Sequence, residues 1–503
     1  MRDILRSAGK SLGQAFASNE YFTRWAREHT TIVAWLRARL TRSKSYGLRF
    51  SLGTAVSVVG LLSFLNLVTN IIGASPLVAA DVRIMNLVAA LRTSFTAEVL
   101  LLFTYLGDWK IILSLGLVVV IVLWLVKQQR RAVLFVGAVV GGALAYTVIK
   151  LLIHRARPDI GFALVERTGY SFPSGHATTA AVFYGLLGYF GYKLLPRRWQ
   201  KVLVVFLSLV VVFLIGLSRP YLGVHWMSDV LGGWLLGFTI LTFALTLGGQ
   251  LMSPAVEAEP AIAYTPRFVA TIVISLLILE GLFIYFYYHQ RPLVAQPTRN
   301  EPMKVAIVSR VDLERTIAGN GFPKFSETLI GQPMEPISLM VVATHLQLVQ
   351  AFTAAGWLMA DEPQVGTWDE LAVAAFFNRS YPTAPVTPSF LDAEPNSLAF
   401  EKPTPANTVR QRHHVRFWPT KFSVQGIPVW VATASFDDGL RYFITHKIKP
   451  EIDVERDLIK SELAATGLTN AIKQVQLVPP MLGKNQSQDL FFTDGKAYII
   501  WLK

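Results

Sequence analysis

The stretch Lys127-QQRRAVLFVGAVVGGALAYTVIKLLIHRAR-Pro158 decides how this chain is read. It opens on the cations Lys127, Arg130 and Arg131 and runs through an apolar segment at 132–153. It closes on Lys150, Arg157 and a proline. An apolar run of this kind matches the roughly 17–25 residues that a helix needs to cross a bilayer. A basic flank of this kind belongs on the cytoplasmic side. Cations at the far end are costly in hydrocarbon unless an anion or water meets them. The stretch therefore predicts a transmembrane helix whose outer end is built to hold an anion.

Six further apolar runs lie near 50–73, 104–126, 177–195, 202–217, 226–248 and 268–288. The run at 202–217 is short and is expected to borrow residues from its flanks. Apolar residues make up 52% of the 503 and charged ones 16%, a membrane-protein balance. A second basic loop, Lys193-LLP-Arg197-Arg198-WQ-Lys201, joins two of the runs. With both basic loops inside, the N-terminus is inside and three polar loops face outward. The stretch Ser253 to Pro266 is Pro/Ala-rich, carries Glu257 and Glu259, and reads as a cytoplasmic linker. The last run then returns the chain outward.

The net charge of +14 raises the question of nucleic acid. Much of the surplus sits in the first fifty residues and in short loops between apolar runs, where it fits anchoring to an anionic leaflet. No nucleic-acid motif accompanies it, so no nucleic-acid partner is expected. The segment Tyr21 to Leu40 mixes Trp, Ile, Val and Leu with Arg and reads as an amphipathic surface helix. The chain has no cysteine, which removes disulfides, thiolate metal sites and cysteine nucleophiles.

Residues 292–503 contain no spanning run. The alternating segments Val429 to Ser435 and Tyr498 to Leu502 read as strands. His345 to Ala355 and Glu455 to Ala465 read as amphipathic helices. The expected fold is an all-α polytopic membrane bundle followed by a soluble α+β domain. The expected divisions are a basic segment at 1–49, a six-run membrane core at 50–248, a linker at 249–266, a seventh helix at 267–291 and the soluble domain at 292–503.

Three polar clusters carry the chemistry: Lys150-LLIHRA-Arg157-Pro158, Pro173-Ser174-Gly175-His176, and Ser218-Arg219-PYLGV-His225-WMS-Asp229. A phosphate monoester is a dianion and needs cations and backbone donors. Lys150 offers a point charge, and Arg157 and Arg219 offer planar forks for phosphate oxygens. Ser174 and Gly175 begin a helix, whose N-terminal N–H groups favour an anion. His225 and Asp229 are four apart, so the carboxylate can accept one ring N–H and leave the other nitrogen as a nucleophile. His176 is then placed to protonate the leaving oxygen and activate water. This chemistry needs no metal, no zinc or magnesium spacing is present, and no cofactor is expected. Singly, each piece reads as a snorkelling lysine, a loop, a cap or a helix pair. Their joint occurrence on one predicted face is what points to a site.

At these residues the chain resembles the type 2 phosphatidic acid phosphatase (PAP2) superfamily, whose pattern all three clusters match without substitution. The resemblance covers roughly residues 50–248. It implies a six-helix membrane core with the site at its outer face. It also implies His225 as a phosphohistidine-forming nucleophile, Asp229 as its orienting carboxylate and His176 as the general acid and base. Lys150, Arg157, Ser174, Gly175 and Arg219 are implied as phosphate-binding, with Ser218 a motif residue of less defined role. The implied substrates are membrane lipid phosphates such as undecaprenyl diphosphate, phosphatidic acid and phosphatidylglycerophosphate, met at the outer face of a bacterial inner membrane. A lipid phosphotransferase and a non-catalytic lipid-phosphate binder use the same residues. A vanadate-dependent haloperoxidase shares the pocket type, but seven apolar runs argue against it.

The C-terminal part is similar to the LssY-type domain through Val415-Arg416-Phe417-Trp418-Pro419 and His446-KIKPEI-Asp453-VE-Arg456-Asp457. That likeness implies no activity, and the domain's protein partner is not specified by it. His413, His414, His446, Asp437, Asp453 and Asp457 form a candidate second metal or catalytic set, with surface and capping roles the preferred reading. Trp418 and Trp430 are expected in the core. Glu280, alone in the seventh run, is expected to pair with the bundle or to sit near its interface.

Overall fold

The computed structural model describes residues 18–41, 46–165, 168–251, 266–290, 306–319, 321–362, 365–441, 445–485 and 487–503, with isolated positions 11 and 14. The expected linker, apart from its ends, and the first basic residues lie outside the described part. Two short helices come first, α1 (Glu20–Glu28) and α2 (Thr30–Leu40), and α2 buries no residue. The bundle follows: α3 (Leu48–Ile72), α4 (Pro76–Ala90), α5 (Ser94–Leu106), α6 (Trp109–Leu125), α7 (Gln129–Ile153), α8 (Gly175–Leu194), α9 (Arg198–Tyr221), α10 (Met227–Leu251) and α11 (Pro266–His289).

Among the described residues, four helices are long and apolar enough to cross a membrane alone: α3, α7, α9 and most of α10. A fifth span results if α5 and α6, bent by 51° at their junction, act together. Length and composition of the described residues thus support four or five of the seven expected spans, and α8 and α11 do not pass alone. Two features bear on this. First, α8 sits inside the bundle rather than against lipid: Ala177, Val182, Phe183 and Leu186 have no exposed surface. An interior helix needs no continuous apolar face, and Gly, Thr and His fill much of its length. Second, the single run expected at 104–126 is broken at Gly107–Asp108. Asp108 caps α6 by accepting the Lys110 N–H at 3.1 Å, which starts a new helix. A Cβ at Gly107 would lie 2.6 Å from Ile215 and 3.0 Å from the His176 ring, so the break lets the chain pass close to the site. The run expected at 202–217 does extend on both sides, as α9.

Sequence reading assigned no element to 76–90, where the structure has α4. Ser75-Pro76 is an N-cap followed by proline at the first helical position, a usable start signal. Asp81, Arg83 and Asn86 interrupt the apolar pattern of this segment and are all buried. Glu280 of α11 is buried as well and accepts the Ser114 hydroxyl at 2.8 Å, as expected for a carboxylate facing the bundle.

The C-terminal domain is strand-rich. Its main sheet runs β12 (Thr469–Gln476), β15 (Lys496–Leu502), β4 (Leu339–Val342), β10 (Ile427–Arg441), β9 (Gln411–Val424), β8 (Leu398–Thr408) and β5 (Leu358–Met359). β1 (Ala306–Val308) and β11 (Thr445–Ile448) attach to β9 and β10. Both faces are covered, and the period-two alternation sorts side chains between them. Met340, Val342, Trp418, Val431 and Ile499 pack under one face with α12 (Arg310–Ala318). Leu339, Val341, Phe417, Trp430 and Ile500 pack under the other with α13 (His345–Ala354) and α15 (Asp453–Ala465). Both tryptophans are in the core, and the two expected helices and two expected strands are present. Between α13 and α15 in the chain lies α14 (Val365–Phe377). A small second sheet orders β3 (Pro333–Pro336), β2 (Phe325–Glu327), β6 (Phe390–Leu391) and β7 (Glu394–Pro395); β13 (Met481–Lys484) pairs with β14 (Leu490–Thr493). This small sheet meets α4. Arg83 Nε donates to Glu327 Oε2 at 3.2 Å, and Asn86 Nδ2 donates to the Ala393 carbonyl at 2.9 Å.

Candidate active site

The loops at 154–174 and 222–226 bring the three polar clusters to one end of the bundle. They are laced together by backbone bonds: Leu164 N–H to the Leu222 carbonyl at 2.9 Å, and Ser174 N–H to the Asp229 carbonyl at 3.0 Å. Gly223 stands at φ +74°, and a Cβ there would lie 1.9 Å from the Phe162 carbonyl oxygen, so the crossing of these loops requires glycine.

His225 lies just before α10, and Asp229 lies in its first turn. Asp229 Oδ2 accepts the Trp226 N–H at 2.9 Å and faces His225 Nδ1 at 3.3 Å. On the other edge of the ring, Arg157 Nη1 stands 3.2 Å from Nε2. A guanidinium only donates, so Nε2 carries the lone pair and Nδ1 carries the proton toward Asp229. The dyad geometry expected from the four-residue spacing is therefore present, with one difference. His225 precedes the helix, so the pair forms across a helix start rather than along a helix face. Burial, then the charges of Arg157, Arg219 and Lys150 and of His176, hold the His225 imidazole well below its usual range. A lowered value favours the neutral ring. The expected outcome of an NMR titration of ring-labelled histidines, assigned with His225→Ala, is no protonation of His225 near pH 6.5. Arg157→Met should raise its midpoint. A midpoint at or above 6.5 in the unaltered protein contradicts this account.

Arg157 is fixed by three carbonyls: Nε to Gly169 at 2.9 Å, Nη1 to Val224 at 2.6 Å and Nη2 to Thr168 at 3.2 Å. Lys150 lies in the last turn of α7 and donates to the Tyr170 carbonyl at 2.6 Å. Arg219, fully buried in the last turn of α9, donates Nη1 to Thr104 Oγ1 of α5. Ser174 is the N-cap of α8, and its hydroxyl takes the Ala177 N–H at 3.5 Å. With its own N–H given to Asp229, Ser174 serves the loop framework. Gly175, His176 and Thr179 are the α8 residues that reach the cavity. Ser218 turns back to the Ile215 carbonyl at 2.7 Å within α9.

Lys150, Arg157, Gly175, His176, Arg219 and His225 all line one cavity of about 730 Å³. From this cationic end the cavity continues between α6 and α7, walled by Leu113, Leu117, Val136 and Val140, and reaches Val120 and Phe135. The cationic end thus opens directly into an apolar trough between α6 and α7, whose wall residues Leu113, Leu117, Val136 and Val140 are exposed.

The chain is similar to known proteins. The PAP2 superfamily pattern matches residues 131–252. A phosphatidylglycerophosphatase B of Bacillus subtilis is 33% identical over 191 residues, which is 38% of this chain and 93% of that protein. The chain belongs to the PAP2 superfamily. A putative undecaprenyl-diphosphatase of Escherichia coli is 34% identical over 127 residues, 24% of this PAP2 chain and 59% of its own length. The crystal structure of a transmembrane PAP2 type phosphatidylglycerolphosphate phosphatase from Bacillus subtilis aligns with 39% of this chain and 98% of its own, at 30% identity and a TM-score of 0.36. The LssY C-terminus pattern matches residues 320–497, so the PAP2 region is followed by an LssY-type domain.

Sequence reasoning missed four contacts of this PAP2 site. Arg155 donates to Asp229 and to Ser228, Asp81 of α4 accepts from Arg155 and Ser228, and Thr104 holds Arg219. Arg155 was visible inside Lys150-LLIHRA-Arg157 as a second cation, and Asp81 was visible as a charge in an apolar stretch. The second candidate set disperses into pairs. His413 Nδ1 meets Glu455 at 2.7 Å, His414 Nδ1 meets Asp437 at 3.4 Å, and Arg456 takes Asp453 and Asp457 at 3.1 and 2.9 Å. Among the described residues no group of three or more His, Cys, Asp or Glu could hold a metal. The His446 side chain lies outside the described part.

Proposed function

We propose that this PAP2 protein hydrolyses a lipid phosphate or diphosphate at the outer face of a bacterial inner membrane through a phosphohistidine. The observation that carries the proposal is the joined cavity: a cationic cradle holding His225 and His176 at the mouth of an apolar trough between α6 and α7. Lys150, Arg157, Arg219 and the N-terminus of α8 neutralise the phosphate. His225 Nε2 attacks phosphorus, an N–P bond forms, and the P–O bond to the lipid breaks while His176 protonates the leaving oxygen. Water then attacks the phosphohistidine, with His176 taking its proton, and the N–P bond breaks to give inorganic phosphate. Arg157 and Arg219 stabilise charge on the pentacoordinate phosphorus in both steps.

Three cations at the polar end would repel a divalent metal, which supports a metal-independent reaction. A lipid tail entering the trough leaves one apolar medium for another, so the trough contributes register more than affinity. We count six spans in the core (α3, α5 with α6, α7, α8, α9 and α10) and a seventh in α11. The contact of the C-terminal domain with α4, whose Asp81 reaches the site loop, favours that domain on the same face as the site.

The test is phosphate release by the full chain in detergent with excess EDTA, offering phosphatidic acid, phosphatidylglycerophosphate and undecaprenyl diphosphate separately beside glycerol 3-phosphate. EDTA-insensitive release is expected, with kcat/KM for the best lipid about 100-fold above glycerol 3-phosphate, the scale of a positioning effect. Loss of activity in EDTA, or equal use of the tail-less substrate, overturns the reading.

A further inference from the structure

Arg155 lies outside the three-cluster pattern of roles and does not line the cavity. Its side chain is 11% exposed and forms a bridge. Nη1 donates to Asp229 Oδ1 and to Ser228 Oγ, both at 2.7 Å, and Nη2 donates to Asp81 Oδ2 at 2.7 Å. Asp81, buried on α4, also accepts the Ser228 N–H at 2.9 Å. A buried carboxylate needs donors on both oxygens to keep one orientation. Asp229 Oδ2 is committed to His225 and to the Trp226 N–H. On Oδ1, Arg155 supplies the close contact and Ser171 Oγ stands at 3.5 Å. Without Arg155, Oδ1 loses its close donor, and the orientation of the carboxylate and of the ring it faces rests mainly on the Oδ2 contacts.

The helix that supplies Asp81 is itself gripped from outside the bundle. Two residues along α4, Arg83 pairs with Glu327 of β2, and Asn86 a turn later bonds the Ala393 carbonyl. Glu327 Oε2 also takes the Ala393 N–H at 3.3 Å, which joins the two anchor points within the C-terminal domain. One face of α4 therefore holds the site's carboxylate support, and the neighbouring positions hold the LssY-type domain.

We propose that Arg155 and Asp81 are positioning residues for the His225–Asp229 pair, and that the C-terminal domain keeps them in register by clasping α4 through Glu327 and Ala393. This rests on the reading of His225 as nucleophile. Neither Arg155 nor Asp81 reaches the cavity, so their loss acts on the chemical step and leaves substrate binding in place.

The experiment uses the full chain in detergent and the lipid with the highest kcat/KM in the assay above. Arg155→Met, Arg155→Lys, Asp81→Asn and Glu327→Gln are compared with His225→Ala, each checked for monodispersity. Arg155→Met and Asp81→Asn are expected to lower kcat roughly 10- to 100-fold with KM within about threefold, the cost of a misoriented reacting group. Arg155→Lys should recover part of kcat. Glu327→Gln should lower kcat about threefold at unchanged KM, a coupling of the size typical between linked sites. Unaltered kcat in monodisperse Arg155→Met or Asp81→Asn overturns the proposal, as does a rise in KM that accounts for the whole loss. Should the α4 and Arg155 variants not fold, Glu327→Gln at the domain contact decides, and unaltered kcat there overturns the clasp. Activity in His225→Ala would instead remove the nucleophile reading on which the proposal stands.

Discussion

Replacing His225 by alanine is expected to lower phosphate release by on the order of 10⁴-fold or more, as deletion of a covalent nucleophile does when the rest of the site remains. The argument is geometric. Nε2 is directed at the cavity that Lys150, Arg157, His176 and Arg219 share, and Nδ1 is turned to Asp229. Burial and the surrounding cations keep the ring neutral, so the lone pair is present at working pH. No other nitrogen or oxygen nucleophile among the cavity-lining side chains has this combination of orienting carboxylate and cationic surroundings. Asp229→Asn keeps the shape but permits the wrong tautomer, and a fall of roughly 10²- to 10⁴-fold is expected. The measurement is steady-state phosphate release, joined to trapping of labelled phosphate on the acid-quenched or base-quenched protein. A phosphoramidate survives base and is lost in acid. His176→Ala should still accumulate label when the leaving group is a good one, because attack needs only Nε2. Base-stable label in His225→Ala would place the nucleophile elsewhere.

Gly233→Leu and Gly237→Leu are expected to abolish the folded, active protein, while Gly137→Leu is tolerated. α10 meets α8 along these two glycines, spaced four apart, a small-residue seam that lets helix backbones approach closely. A Cβ at Gly233 would lie 2.7 Å from the Ser174 carbonyl and 2.8 Å from the Ala177 Cβ; at Gly237 it would lie 2.6 Å from the Ala181 Cβ. The obstacles are backbone and short side chains that cannot swing away. The seam also sets the distance between the α8 N-terminus, with Gly175 and His176, and the α10 N-terminus, with Asp229. Forcing it apart costs about 3 kcal/mol or more by overpacking. It also moves the two halves of the site, so activity should fall at least about 100-fold even in protein that still folds. At Gly137 on α7 nothing lies within 4 Å of the added carbon. Thermal unfolding in detergent and kcat on the same samples check both points. Wild-type activity in Gly233→Leu would mean that the two helices are not packed this way.

Local order in the chain makes several of these pieces legible. Apolar runs bounded by basic loops specify spanning helices because a helix in hydrocarbon must satisfy its own backbone, and this is written in consecutive residues. The three polar clusters were legible for the same reason, since each is a short segment at a helix end. Alternation in Val429 to Ser435 and Tyr498 to Leu502 reported strands that are buried on both faces. Tertiary structure decided what depends on residues far apart in the chain. α4 was hidden because Asp81, Arg83 and Asn86 break its apolar pattern, and they are tolerated only because Arg155, Glu327 and Ala393 meet them from elsewhere in the chain. The bend at Gly107–Asp108 was hidden inside an apolar run, because its reason is the approach of Ile215 and His176. The trough between α6 and α7 belongs to neither helix alone. A spacing can place a cation at a helix end; only the packing of distant helices decides that three cations and two histidines face the same cavity, and that a carboxylate on α10 is held by an arginine whose other partner lies on α4.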